Sequence, residues 1–192
     1  MKIVFISQNP FGMQGTPGTY KLINLIAKKS QVCVFSKKTD TLKTKIIYQH
    51  DNTYPLYEVD YNDKLEMGEM IKNIIEYNPD IVYFCSGKLW LHNDSEIIRV
   101  VKRKLPHTKF VLDIKSPPLF EDKRKSLEFK KECSANQYLL NKIFSRCYED
   151  VKDWFAHIQT DVFIYPLGVS PFEFSFDTIH VDNKVFCHNF VY

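Results

Sequence analysis

The chain has 192 residues, of which 44% are hydrophobic and 15% aromatic, so it is too apolar for a disordered segment. Its 26 basic and 23 acidic residues leave a net charge of +3, which is too weak to indicate nucleic-acid binding. A mean hydropathy of −0.29 and the lack of a run of about 18 apolar residues predict that the chain does not span a membrane. Five widely spaced cysteines without a Cys-x-x-Cys pair are typical of free thiols in a reducing compartment, so we expect a cytoplasmic protein.

Apolar, β-branched runs alternate along the chain with segments whose apolar residues recur at helical spacing. Strands are predicted at Lys2–Ser7, Gln31–Ser36, Lys45–His50, Asp80–Ser86, Lys109–Ile114, Lys142–Arg146 and Val162–Pro166. Helices are predicted at Thr19–Lys29, around Met67–Ile75 up to a stop at Asn78-Pro79, from a cap at residues 93–95 through Leu105, within residues 121–142, and at Tyr148–His157. This alternation indicates βαβ units. We therefore expect an α/β, Rossmann-like, doubly wound fold with a mostly parallel sheet and helices on both faces.

A glycine-rich loop follows the first predicted strand and precedes the first predicted helix. Its G-x-x-G-x-x-G spacing departs from the dinucleotide fingerprint, and Ser36–Lys38 stands where an acidic ribose-binding residue would be needed, so no nicotinamide cofactor is expected. Glycine amides beside a helix N-terminus can bind an anion, although an ordinary loop is the alternative. The predicted substrate-binding residues of this loop are Gly12, Gly15, Thr16 and Gly18.

Polar residues also stand at the ends of two later strands, where ligands of such sheets bind. Asp113 and Lys115 lie at the end of Lys109–Ile114 and are the catalytic candidates, with a structural carboxylate as the alternative for Asp113. Ser86 and Gly87 would reach the same sheet edge and contact substrate through their backbone, or form an ordinary turn. No metal site is expected, because the histidines and cysteines lack the close spacing of a zinc site.

The segment Pro166–Phe174 has the pattern P-x-G-V-x-x-x-x-F. Together with the strand, loop and helix of Ile3–Leu25 and the strand-helix pair of Ile143–Phe155, it resembles the N-terminal half of GT-B fold glycosyltransferases, especially the retaining family-4 group. In that family such a stretch joins two domains. The resemblance implies a Rossmann-like acceptor-side domain at residues 1–174. Residues 175–192 would then hold the linker and the first strand of a truncated or absent donor domain.

The resemblance also implies an activity: transfer of a sugar from a nucleotide-sugar donor to a glycan or lipid-linked acceptor, without metal or cofactor. Some relatives carry Asp-Ile/Val-Arg where this chain has Asp113-Ile114-Lys115. Asp113 is accordingly expected to orient an acceptor hydroxyl, and Lys115 to hold a phosphate. The family's donor domain holds most of the nucleotide-sugar site, so the chain alone is expected to be inactive.

Basic clusters provide a further expectation about partners. Lys102–Lys104, Lys123–Lys125 and Lys130-Lys131 lie near Phe120 and Phe129 and could contact an anionic inner membrane face, or simply form solvated helix surfaces. Two other functions stay open. One is a non-catalytic module that binds a glycan or a protein, and the other is a nucleotide-sugar epimerase of the same fold.

Overall fold

The computed structural model describes residues 1–13, 17–39, 45, 46, 48, 50, 52–85, 95–116 and 118–165. The strands in these ranges are β1 (Lys2–Ser7), β2 (Gln31–Lys37), β3 (Leu56–Val59), β4 (Ile81–Cys85), β5 (Lys109–Ile114), β6 (Lys142–Ser145) and β7 (Val162–Ile164). The helices are α1 (Pro17–Ala27), α2 (Lys64–Tyr77), α3 (Ser95–Lys104), α4 (Lys123–Asn136) and α5 (Tyr148–Trp154), with a 3-10 turn at Gln137–Leu139. None of these helices is long and apolar enough to cross a membrane.

The seven strands form one sheet in the order β3-β2-β1-β4-β5-β6-β7, and every adjacent pair is parallel. The chain first adds strands on one side of β1 and then crosses to β4 on its other side. This reversal is the switch point of a doubly wound sheet, and ligands of such folds bind beside it at the carboxyl ends of the strands. The predicted Rossmann-like α/β class is confirmed.

The core consists of two apolar layers, one on each face of the sheet. One layer joins alternate strand residues such as Val4, Phe84 and Leu112 to α2, α3, α4 and α5. The other joins Ile3, Phe5 and their neighbours to α1. The alternation arises because successive strand residues point to opposite faces. Helices therefore cover both faces, as predicted, but four of the five described helices pack on the same one.

The third strand lies at a different position from the one predicted. The sequence predicted a strand at Lys45–His50, but Ile46 makes an isolated antiparallel bridge to Met13, and β3 lies at Leu56–Val59. β3 is an edge strand that is half exposed, so it lacks the continuous apolar run that marks a buried parallel strand. Pro55, directly before β3, also makes a strand harder to predict, because proline has no amide proton to donate to a neighbouring strand. Its carbonyl oxygen still accepts a hydrogen bond from the Val34 amide.

Helix ends follow local hydrogen bonding. The predicted stop at Asn78-Pro79 is confirmed, because Asn78 adopts a left-handed conformation that closes α2. The helix predicted to His157 instead ends at Trp154, where Phe155 becomes extended and the amide of His157 donates to Ser134 Oγ. The predicted cap at residues 93 and 94, and the division at 174/175, lie outside the described residues.

We predict that Asp63→Ala lowers the free energy of unfolding by about 1 kcal/mol, because Asp63 Oδ1 caps the amides of Leu65 and Glu66 at the start of α2. Urea unfolding followed by circular dichroism measures the change. Glu69→Ala, at an exposed position in the same helix, is the control and should change stability by only a few tenths of that amount. Equal losses in the two variants would contradict the cap.

Candidate functional site at the carboxyl ends of the strands

A polar side chain stands at the first position after each of three neighbouring strands. Lys115 follows β5, Arg146 follows β6 and Tyr165 follows β7. The register pairs Ile114 with Ser145 and Ser145 with Ile164, so the three residues lie at the same level along the sheet. Strand alternation places them on the face covered by α1. The sheet thus brings two charged side chains and one phenol to the same edge.

Asp113 lies on the same face, one residue before the end of β5, and its side chain is only 1% exposed. Tyr165 donates a hydrogen bond of 2.8 Å from its hydroxyl to Asp113 Oδ1. The other oxygen, Oδ2, is buried, lacks a hydrogen-bond partner in the described part of the chain, and lies 3.6 Å from Lys115 Nζ. A buried carboxylate is costly unless it is paired and hydrogen-bonded, and here the Tyr165 phenol and the Lys115 ammonium contribute to both, with Tyr83 also close to the carboxylate.

Lys115 connects the end of β5 to the start of α1. Its Nζ donates a hydrogen bond of 2.8 Å to Thr19 Oγ1, in the first turn of α1, and its side chain is 26% exposed. An ammonium has three donors, so at least one remains for solvent or a ligand. A cation at the positive end of a helix is unfavourable by itself, which makes this position attractive for an anion. Lys115 is therefore the accessible group of the site, and Asp113 is its buried counter-charge.

Burial sets the protonation of the neighbouring groups. It raises the pKa of Cys85, beside Asp113 in the sheet, to about 12, against the opposing effect of the Lys115 charge. Burial and the Asp113 carboxylate likewise raise the pKa of Tyr165 above its ordinary range. At neutral pH the phenol is therefore a hydrogen-bond donor. Burial likewise favours the protonated form of the Cys85 thiol, which is a poor nucleophile.

The predicted glycine loop is described only in part. Gly12 has a φ of +74°, and a Cβ there would run into the backbone carbonyl oxygen of Tyr48. Gly18 lies in the first turn of α1, where a Cβ would meet none of the described atoms within 4 Å. Gly12 thus allows a close backbone approach, whereas Gly18 leaves the space beside Thr19 open. The other predicted contacts, Gly15, Thr16, Ser86 and Gly87, lie outside the described residues.

Sequence reasoning placed Asp113 and Lys115 at this edge but missed three of their neighbours. Thr19, Arg146 and Tyr165 come from other elements, and only the strand register and the position of α1 bring them near. Arg146 is held 3.7 Å from Asp150 by an ion pair, and its charge opposes the rise in the pKa of Tyr165. Arg146 and Tyr165 lie within the last two residues of the strands predicted at Lys142–Arg146 and Val162–Pro166, so a polar residue close to the strand end was the available signal.

The opposite edge of the sheet has a different character. A cleft of about 360 Å³ opens there between Gln31 at the start of β2, Pro55 before β3 and Tyr77 at the end of α2. The described residues that line it are all uncharged. This cleft lies at the amino ends of the strands, where doubly wound sheets do not place their ligands. The charged carboxyl edge is the better candidate site.

No protein-family profile and no curated protein matches the chain. Among solved structures, it is similar to MurG from Acinetobacter baumannii, with a TM-score of 0.48 and 10% identity over 84% of this chain and 44% of MurG. It is also similar to dTDP-glucose 4,6-dehydratase from Bacillus anthracis in complex with NAD, with a TM-score of 0.47 and 9% identity over 76% of this chain and 54% of that one. The chain spans about half the length of both proteins. Likeness at this level carries no argument about function.

We predict that the two described glycines of the loop respond differently to alanine. Gly12→Ala should lower the free energy of unfolding by about 1–3 kcal/mol, because a left-handed backbone and the Tyr48 carbonyl both oppose a Cβ. Gly18→Ala should change it by less than about 1 kcal/mol, because the added methyl enters open space in a helix. Denaturant unfolding of both variants measures the difference, and a stable Gly12→Ala protein would refute the close approach.

Proposed function

We propose that this chain is the acceptor-side half of a nucleotide-sugar-dependent glycosyltransferase of the retaining GT-B type, similar to family 4. The sequence resemblance and the doubly wound sheet support this proposal. The observation that carries it is the hydrogen bond between Lys115 Nζ and Thr19 Oγ1. It fixes an accessible cation at the helix end beside the switch point, where a phosphate would be bound.

The proposed chemistry depends on positioning and charge. When a glycosyl bond to a nucleoside diphosphate breaks, negative charge develops on the leaving phosphate oxygens. A cation already held in place stabilises that charge without reorganising during the reaction. Lys115 and the first turn of α1 would supply this stabilisation, and the open space at Gly18 would let the phosphate approach. The Asp113 carboxylate attracts the ammonium but is itself buried, so its predicted contact with an acceptor hydroxyl would require the side chains that cover it to move.

Binding of nucleoside diphosphates and nucleotide sugars tests the proposal. Isothermal titration calorimetry with a panel of uridine, guanosine and thymidine diphosphate sugars should detect binding that Lys115→Met weakens at least tenfold, since a charge-assisted hydrogen bond contributes about 1.5–3 kcal/mol. Lys64→Met, at an exposed position in α2, is the control and should leave affinity unchanged.

Two results would contradict the proposal in different ways. Rapid, sustained nucleotide release by this chain alone would show that no second half is needed. Absence of any nucleotide or diphosphate binding would remove Lys115 as a phosphate-binding residue, the observation on which the transferase proposal depends, and would favour the non-catalytic glycan- or protein-binding module.

We also propose that α4 contacts an anionic membrane that carries a lipid-linked acceptor. α4 has five basic and two acidic residues and follows β5, on the face of the sheet opposite to α1. Leu127 on this helix is 51% exposed, and Leu119 in the preceding loop is 95% exposed. Exposed apolar side chains among cations suit the headgroup region of a membrane. Phe129, in contrast, packs on Trp154 in the core.

The basic cluster on α3 is less suited to that contact. Lys102 Nζ donates hydrogen bonds to the carbonyl oxygens of Tyr138 and Leu139, and burial lowers the pKa of Lys102. Its charge therefore links α3 to the 3-10 turn after α4. The proposed membrane surface is limited to α4 and Leu119.

Sedimentation with lipid vesicles tests this surface. The protein should bind vesicles that contain phosphatidylglycerol and not vesicles of pure phosphatidylcholine. Lys123→Glu combined with Lys125→Glu should reduce binding at least tenfold, since each cation near the surface contributes about 1 kcal/mol. The matched control, Lys28→Glu with Lys29→Glu after α1, should bind like the natural protein. Equal losses in both pairs would show a general charge effect and no defined surface.

A further inference from the structure

A continuous series of contacts runs across the sheet edge from the end of β7 to the start of α1. Tyr165 contacts Asp113, Asp113 faces Lys115, and Lys115 contacts Thr19. We infer that Tyr165 is a positioning residue, which holds the Asp113 carboxylate so that the Lys115 ammonium stays directed at the first turn of α1. The inference extends the proposed function, and the part of the inference that concerns anionic ligands rests on that proposed function.

The hydrogen bond from Tyr165 makes the two oxygens of Asp113 unequal. Oδ1 is occupied by the phenol at 2.8 Å, which leaves Oδ2 as the oxygen that faces the ammonium. The distance of 3.6 Å from Oδ2 to Nζ is within ion-pair range but too long for a good hydrogen bond. Lys115 is therefore attracted to Asp113 without being fully engaged by it. Its donors remain available to Thr19 and to a ligand.

Without the phenol, the interactions of Lys115 with Asp113 and with Thr19 would change. Oδ1 would lose the hydrogen bond from Tyr165, and the Lys115 ammonium already lies within ion-pair distance of the carboxylate. The ammonium would then move onto the carboxylate and away from Thr19. Anion binding would weaken although the charge of the site is unchanged. Simple loss of stability does not produce this effect.

The fold holds Tyr165 at the required place. Its backbone amide donates a hydrogen bond of 3.0 Å to the Ser145 carbonyl oxygen, which continues the pairing of β7 with β6 by one residue. Two strand spacings, about 9–10 Å, separate β7 from β5. The Tyr165 side chain, its hydrogen bond of 2.8 Å and the Asp113 side chain together bridge this gap. Arg146 lies directly after the intervening strand, β6, and Tyr83 on β4 flanks the carboxylate from the other side. Tyrosine is long enough for this reach, and phenylalanine matches its shape without the donor.

A ligand-free measurement tests the inference first. The ammonium of Lys115 should give a distinct, slowly exchanging proton–nitrogen correlation in NMR spectra, because Thr19 and Asp113 hold it. Tyr165→Phe should change its chemical shift and speed its exchange. The control is Tyr138→Phe at an exposed tyrosine, which should leave the signal unchanged. An unaltered Lys115 signal in Tyr165→Phe would overturn the inference.

A double-mutant cycle with inorganic pyrophosphate tests the consequence for binding. Tyr165→Phe should weaken pyrophosphate affinity by about threefold to tenfold, and it should have no such effect when Asp113→Asn is already present, because coupled residues are not additive. Additive effects, or unchanged affinity in Tyr165→Phe, would overturn the inference.

Failure of the proposed function gives a different result. If the natural protein does not bind pyrophosphate, the anion site fails, while the Lys115 signal still decides whether Tyr165 positions the ammonium. If Tyr165→Phe does not fold, Asp113→Asn keeps the partner of the phenol and removes the charge that faces Lys115. An unaltered Lys115 signal in that variant would likewise overturn the inference.

Discussion

A parallel sheet that is covered on both faces admits charged side chains only near the strand ends, because its interior cannot solvate them. Asp113 lies at that limit, one residue before the end of β5, and is almost fully buried. Its charge must be compensated by groups from elsewhere in the chain. Tyr165 at the end of β7 and Lys115 after β5 do so, and Lys115 in turn contacts Thr19 on α1. This one buried carboxylate therefore connects two strands and a helix at the carboxyl edge.

The same contacts determine which kind of ligand the carboxyl edge can bind. Lys115 is accessible, positively charged and located where the dipole of α1 also favours an anion. The cleft at the amino edge offers no charged side chain among the described residues that line it. A ligand that carries phosphate is therefore better matched by the carboxyl edge. A nucleotide sugar is such a ligand, which connects the geometry to the glycosyltransferase proposal.

The sequence predicted some elements better than others, for identifiable reasons. β5 was predicted with its observed bounds because five of its six residues are buried and four of these five are apolar. β3 was misplaced because it is a short, half-exposed edge strand whose stability comes from pairing with β2. Local patterns identify elements whose burial is complete. They miss elements that depend on a partner distant in sequence.

The candidate site divides in the same way. Asp113 and Lys115 were found because strand ends in this fold class place residues at the ligand edge. Tyr165 and Thr19 were not found, since their contacts join residues 52 and 96 positions apart. The sequence also could not predict that Asp113 is the buried counter-charge and Lys115 the accessible cation, because these roles depend on which of the two side chains is buried.

We propose that the carboxyl edge around Lys115 is the anion-binding site of this protein. Backbone amide shifts in NMR spectra, recorded during titration with uridine diphosphate, test it most directly. We expect the largest changes at Gly18, Thr19 and Lys115, whereas the amides of Gln31 and Thr53 at the amino-edge cleft should stay unchanged. Changes confined to the amino-edge cleft, or no changes at saturating ligand, would contradict it.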